Sequence, residues 1–134
     1  MTLDLIESYR VSSVLNKNVK EYGKKYLFDG NVETCWNSEA QNNQFIVVNL
    51  YKPKYLKSFS IQFQGGFAGN NCSVDGIENN EVIESYNFYP KDIHKTQTFS
   101  FDFKHNFKVF KINFHDSSDL FGRIIIYDLK LNFN

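Results

Sequence analysis

Apolar and polar side chains alternate with a period of two through much of the chain. Ile46, Val48 and Leu50 alternate with Val47 and Asn49, and Phe59, Ile61 and Phe63 with Ser58, Ser60, Gln62 and Gln64. Phe99, Phe101 and Phe103 alternate with Thr98, Ser100 and Asp102; Phe110, Ile112 and Phe114 with Lys111 and Asn113. Ile125, Tyr127, Leu129 and Leu131 alternate with Asp128 and Lys130. Successive side chains of a strand point to opposite faces, so this pattern predicts five half-buried strands. Arg10 to Leu15 and Val82 to Phe88 are weaker strand candidates.

Turn-forming clusters separate these segments: Asp29-Gly30-Asn31, Tyr51-Lys52-Pro53, Gly65-Gly66, Gly69-Asn70-Asn71, Glu78-Asn79-Asn80 and Tyr89-Pro90-Lys91. The pattern of a long amphipathic helix is missing, and one short helical turn is expected near Lys24 to Phe28. Seven or eight short strands joined by turns predict an antiparallel sandwich or barrel. Without an internal repeat or linker, residues 1–134 read as one domain.

Composition narrows the function. Aromatic residues make up 17% of the chain, led by 14 Phe. Placed at strand spacing, they read as core and not as a base-stacking platform. Fifteen basic and fifteen acidic residues cancel, so no nucleic-acid partner is expected. The one basic cluster is Lys17, Lys20, Lys24 and Lys25, either a solvated loop or a patch for an anionic partner. The first ten residues carry Asp4 and Glu7 and lack the pattern of a secretory signal, so a cytoplasmic or nuclear location is expected. Cys35 and Cys72 are then reduced thiols, and their spacing does not suit zinc.

Leu27-Phe28-Asp29-Gly30-Asn31, then Glu33-Thr34 and Trp36, resembles the signature of discoidin (coagulation factor V/VIII type C) domains. Gln44 to Leu50 and Gly122 to Leu131 resemble the strands that follow the signature and close the domain. The resemblance implies an all-β, antiparallel jelly-roll β-sandwich of the galactose-binding-like kind. Discoidin domains outside the cell commonly tie their ends with a disulfide, and no Cys lies near either end here. Arg10 to Asn16, Glu33-Thr34-Cys35-Trp36-Asn37-Ser38, Ile61 to Phe67 and Phe121-Gly122-Arg123 are similar to a family of small intracellular proteins associated with a nuclear receptor. That likeness implies a protein partner, either a nuclear receptor or a multiprotein assembly.

Several residues carry candidate chemistry. Asp29, Asn31 and Thr34 offer oxygens around a tight turn, as a hard cation requires. Discoidin-like domains often hold a structural calcium at this turn, and the resemblance makes Asp128 the further ligand. The alternative is that Asp29 caps the turn without metal. Trp36 is expected in the core, with its indole N–H bonded. Phe67, between glycines, is either a protruding anchor or folded inward. Lys20 and Tyr22, on the first long loop, are expected at the same end of the sandwich. Arg123 follows Asp116 and Asp119, which suits an ion pair that fixes the turn, or a recognition site. Phe121 is a second anchor or a core plug.

Contiguous His115, Asp116 and Ser117 cannot form a triad, because neighbouring side chains on a strand diverge. Hydrolase motifs are missing as well. The sequence therefore predicts a non-catalytic module that docks protein partners through loops at one end. A carbohydrate- or lipid-binding module is the alternative.

Overall fold

The computed structural model describes residues 2–134. Among them are nine strands: β1 (Ile6–Val11), β2 (Trp36–Asn37), β3 (Gln44–Lys54), β4 (Leu56–Phe63), β5 (Gly69–Glu78), β6 (Glu81–Phe88), β7 (Thr96–Ser100), β8 (Phe107–Ser117) and β9 (Ile125–Phe133). They form a five-stranded sheet in the order β1-β3-β8-β5-β6 and a four-stranded sheet in the order β2-β9-β4-β7, with every pairing antiparallel. The helical pieces are short: α1 (Thr2–Leu5), α2 (Val19–Tyr22) and 3-10 turns at Leu15–Lys17 and Lys24–Leu27. The expected all-β sandwich is what the chain forms.

The alternating residues meet between the sheets. Ile46, Val48 and Leu50 of β3 and Phe110, Ile112 and Phe114 of β8 face Phe59, Ile61 and Phe63 of β4 in one core. Burying each such side chain contributes roughly 2–3 kcal/mol. The phenylalanines pack edge to face, as their quadrupoles favour: Phe59 on Phe88 at 5.0 Å, Phe103 on Phe110 at 5.4 Å. Trp36 is wholly buried, and its Nε1 donates to Ser13 O at 2.9 Å, which ties β2 to the end of β1.

The structure departs from the sequence pattern in several places: Tyr51-Lys52-Pro53 continues β3 instead of breaking it, and Phe101 and Phe103 lie past the end of β7. Strand β1 starts at Ile6, earlier than Arg10, and the chain leaves the sheet beyond Ser12 to build the loop that Trp36 grips. Gly69-Asn70-Asn71 opens β5 instead of breaking the chain, with Asn71 in the left-handed region at φ 57°. Strand β9 bulges between Ile126 and Asp128, since Gln62 pairs with Asp128 but Phe63 with Ile126. The inserted residue flips the alternation, so Ile126 faces the core and Tyr127 turns out to donate to Gln64 Oε1.

One end of the sandwich gathers the loops at 12–18, 38–43, 64–68, 89–95 and 118–124. The opposite end is pinned by Glu84. Its carboxylate accepts from Lys104 N, His105 N, His105 Nδ1 and Tyr86 OH, the last at 2.7 Å.

Candidate functional site

At the loop-rich end, two chain segments build an apolar tip. The first is Gln64-Gly65-Gly66-Phe67. Gly66 takes φ +90° with open space around it, its N–H donates to Asp92 Oδ1, and Phe67 N–H returns to Gln64 O at 3.0 Å. The second is the turn from Ser117 to Ile124. Ala68 and Ser118 join the two segments by reciprocal bonds: Ala68 N–H donates to Ser118 Oγ, and Ser118 N–H to Ala68 O.

Arg123 organises this turn. Its Nε donates to Asp119 Oδ2 at 3.1 Å and its backbone N–H to the same oxygen at 3.0 Å. Its guanidinium lies over the half-buried Phe67 ring, 4.8 Å from the centroid. Partial burial alone would push the Asp119 carboxyl up. The Arg123 hydrogen bonds and charge outweigh this and hold it below the ordinary carboxylate range. Gly122, at φ +88°, turns the chain against Gln41 O, where a Cβ would sit 2.4 Å away.

The result is a hydrogen-bonded turn whose two apolar side chains are exposed to solvent. Leu120 is 90% exposed and Phe121 65% exposed. The sequence left Phe121 as anchor or core plug; in the structure it faces solvent. No sequence pattern marks a single exposed leucine in a turn, so Leu120 emerges only from the structure.

Lys20 and Tyr22 lie on α2 and belong to neither of the two segments that build the tip. The 3-10 turn Lys24–Leu27 packs on β9 and β2, and Lys24 reaches across to β1. There Lys20 and Lys24 border a separate groove, and Lys20 O accepts from the Tyr26 hydroxyl. Leu27 is wholly buried and anchors this segment to the core.

Asp29 and Asp128 line one hollow of about 270 Å³, together with Phe28 and Lys130. Asp29 Oδ1 accepts from Asn31 N–H and Oδ2 from Thr34 Oγ1 at 2.6 Å, while Asn31 Oδ1 accepts from Glu33 N–H. Asn31 and Thr34 are thus engaged within the turn, and the two carboxylates supply the charge facing the hollow. Burial chiefly, and Asp29 in addition, push the Asp128 carboxyl above its usual range, against the pull of Lys130 3.8 Å away. Asp29 thus caps the turn through both of its oxygens while its charge adds to the burial that raises Asp128 across the same hollow.

His115, Asp116 and Ser117 go separate ways. His115 Nε2 meets Ser73 Oγ at 3.0 Å, Ser117 Oγ donates to Arg123 O, and Asp116 pairs across the sheet with Asn70. Both thiols are free, and burial pushes Cys72 up to about 12, with a smaller contribution from Asp116. Among the described residues, no three His, Cys, Asp or Glu side chains cluster as metal ligands.

Two antiparallel sheets with a buried tryptophan bend and loops gathered at one end define a galactose-binding-like fold. The chain belongs to the F5/8 type C family of NedA-like galactose-binding domains, whose model matches residues 26–113. It is 42% identical over 91% of its length to the nuclear receptor 2C2-associated protein of Danio rerio, covering 87% of that protein. It is 37% identical to the human protein of the same name, covering 91% of this chain and 88% of the relative. Among solved structures, the family 32 carbohydrate-binding module of Clostridium perfringens NanJ, in complex with galactose, superposes with a TM-score of 0.71 at 18% identity. It covers 92% of this chain and 91% of its own. The lectin-binding domain of lectinolysin, complexed with Lewis b, gives a TM-score of 0.75 at 12% identity, covering 100% and 96%.

Proposed function

We propose that this chain is a non-catalytic binding module that docks a protein partner through the Leu120–Phe121 tip. The observation that carries the reading is the exposure of two adjacent large apolar side chains on a turn pinned by the Asp119–Arg123 pair. Exposed apolar groups on a preorganised support lose little conformational freedom on binding, which is how interface anchors gain their effect. Phe67 and Arg123 border the tip and supply the polar and aromatic rim. The relatives' name, nuclear receptor 2C2-associated protein, supports a nuclear receptor or its assembly as partner. The same support, with two free thiols, favours a cytoplasmic or nuclear setting. Calcium between Asp29 and Asp128 would brace the fold in this reading and take no part in docking.

The test is co-purification with nuclear receptor 2C2 from the same organism. The doubly substituted L120S/F121S protein should keep its melting temperature and lose capture. Undiminished capture by that protein overturns the reading. The solved neighbours with galactose and Lewis b favour carbohydrate as the second reading. A glycan array probed with the same two proteins separates it: tip-dependent sugar binding without receptor capture would assign the module to carbohydrate.

A further inference from the structure

A second concave surface lies on the flank, where α2 and the following 3-10 turn pass the edge of β1. This groove encloses about 510 Å³. Its floor is aliphatic: Val11 and Val14 from the end of β1 and beyond, and Val19, which is 64% exposed. Gly23 also lines it, so no side chain fills the depression at that point. The rim carries Arg10, Lys20, Lys24 and Lys25, and no carboxylate lines the groove.

These four cations stand near one another in a chain whose formal charge is zero. Among the described residues, none of them pairs with a carboxylate. Three are held in place by uncharged partners. Lys24 Nζ donates to Tyr9 O at 2.6 Å, Lys25 Nζ lies 5.0 Å from the Tyr26 centroid, and the Arg10 guanidinium 5.3 Å from that of Phe45. Such contacts position the heads and leave their charge uncompensated.

The strand beside the groove adds direction. β1 is an edge strand. Ser12 N–H bonds Phe45 O, so the alternation of an antiparallel ladder turns the backbone groups of Tyr9 and Val11 away from β3. Lys24 occupies the Tyr9 carbonyl, a lysine guarding an open edge. The same alternation points the N–H and C=O of Val11 to the outer edge beside the aliphatic floor.

We propose that this groove binds an extended peptide segment in which acidic residues flank aliphatic ones. Carboxylates answer the uncompensated rim, aliphatic side chains answer the valine floor, and an extended backbone answers the edge of β1. A bare phosphate would leave the floor unused, and nucleic acid would find no aromatic platform there. This surface shares no lining residue with the tip and does not depend on the tip's role.

A random-peptide display library selected on the whole protein tests the idea. Enriched sequences should place Asp or Glu beside Leu, Ile or Val. The most enriched peptide, synthesised with a fluorophore, should bind by anisotropy with an affinity that falls as salt rises. Lys20→Glu with Lys25→Glu should weaken it about tenfold or more, and Val19→Ser several-fold. L120S/F121S should leave it unchanged. If charge reversal lowers the melting temperature, Lys20→Gln with Lys25→Gln replaces it, with a smaller loss expected. Enrichment without acidic residues, or full binding by the substituted proteins, overturns the proposal. Capture of phosphatidylserine vesicles with no peptide selected also overturns it, assigning the groove to lipid.

Discussion

The Arg123 guanidinium rests 4.8 Å from the centre of the Phe67 ring while its Nε donates to Asp119 Oδ2 at 3.1 Å. One side chain thus joins the two loops of the apolar tip. Arg123→Ala should remove both contacts, lower stability by about 1 kcal/mol and weaken partner capture. Lysine at this position should rescue stability only in part, because it lacks the planar fork. Partner affinity measured by calorimetry, with melts alongside, checks both expectations.

Acid should loosen both ends of the sandwich. In Asp119 and Glu84 alike, partial burial favours the neutral acid, yet hydrogen bonds from Arg123, and from Lys104, Tyr86 and His105, outweigh it and lower the proton affinity. A carboxyl whose folded pKa lies below its unfolded value stabilises the fold above the unfolded value, near 4. That contribution is lost as pH falls from there through the folded pKa. Denaturation midpoints should therefore hold from neutral pH to about pH 5 and decline below about pH 4. Glu84→Ala should destabilise by roughly 1–3 kcal/mol, since backbone N–H groups of Lys104 and His105 lose their acceptor. It should also flatten part of the acid limb.

Gly122 and Gly66 offer a matched pair. Both adopt positive φ, +88° and +90°, but an added Cβ at Gly122 meets Gln41 O at 2.4 Å, whereas at Gly66 it meets open space. Gly66→Ala should cost only the strain of the left-handed backbone, about 1 kcal/mol. Gly122→Ala should cost clearly more and distort the turn that presents Leu120 and Phe121. Urea melts of both proteins test the order, and equal losses would refute it.

The strands β3, β4 and β8 were legible because each shows one face to the core and one to solvent or to polar neighbours. Strand β5 was not. Its Ser73 and Asp75 are buried on the other face of the sheet, where Asn113 and Ser85 hydrogen-bond them. Its Gly76 is small because the Phe107 ring occupies the place of a Cβ, 2.4 Å away. Polar residues and glycine in sequence spell a loop unless those partners, tens of residues away, are known. The bulge at Tyr127 escaped notice because Ile125, Tyr127 and Leu129 alternate well by themselves, and only pairing with β4 exposes the extra residue. Arg123 and Asp119 were legible as an ion pair through their spacing, but which apolar side chain it would hold out to solvent depended on the meeting of two loops.

Trp36 is the largest of the fully buried side chains among the described residues. It is wholly buried, its ring lies 6.4 Å from that of Phe114, and its indole N–H satisfies Ser13 O. Trp36→Phe should lose about 2–3 kcal/mol, combining a cavity with an unmet carbonyl. Trp36→Ala should lose about 3–5 kcal/mol and approach the whole stability of a domain this size. Chemical denaturation followed by Tyr fluorescence measures both.

Asp128 separates the calcium proposal from simple turn capping. Its carboxyl is pushed up by burial and by Asp29, so its ionised form strains the folded state. A raised folded pKa means stability is highest below the unfolded value and declines as pH rises through the folded one. Asp128→Asn in the presence of chelator should therefore leave the neutral-pH melting temperature unchanged or raise it. Calcium reverses that balance, since a divalent ion between Asp29 and Asp128 rewards both charges. For the unsubstituted protein, calcium at ten times its dissociation constant should add about 1.4 kcal/mol, or roughly 4 °C in melting temperature. In Asp128→Asn that response should vanish. A turn held only by its own hydrogen bonds predicts no calcium shift in either protein, and that result would end the proposal.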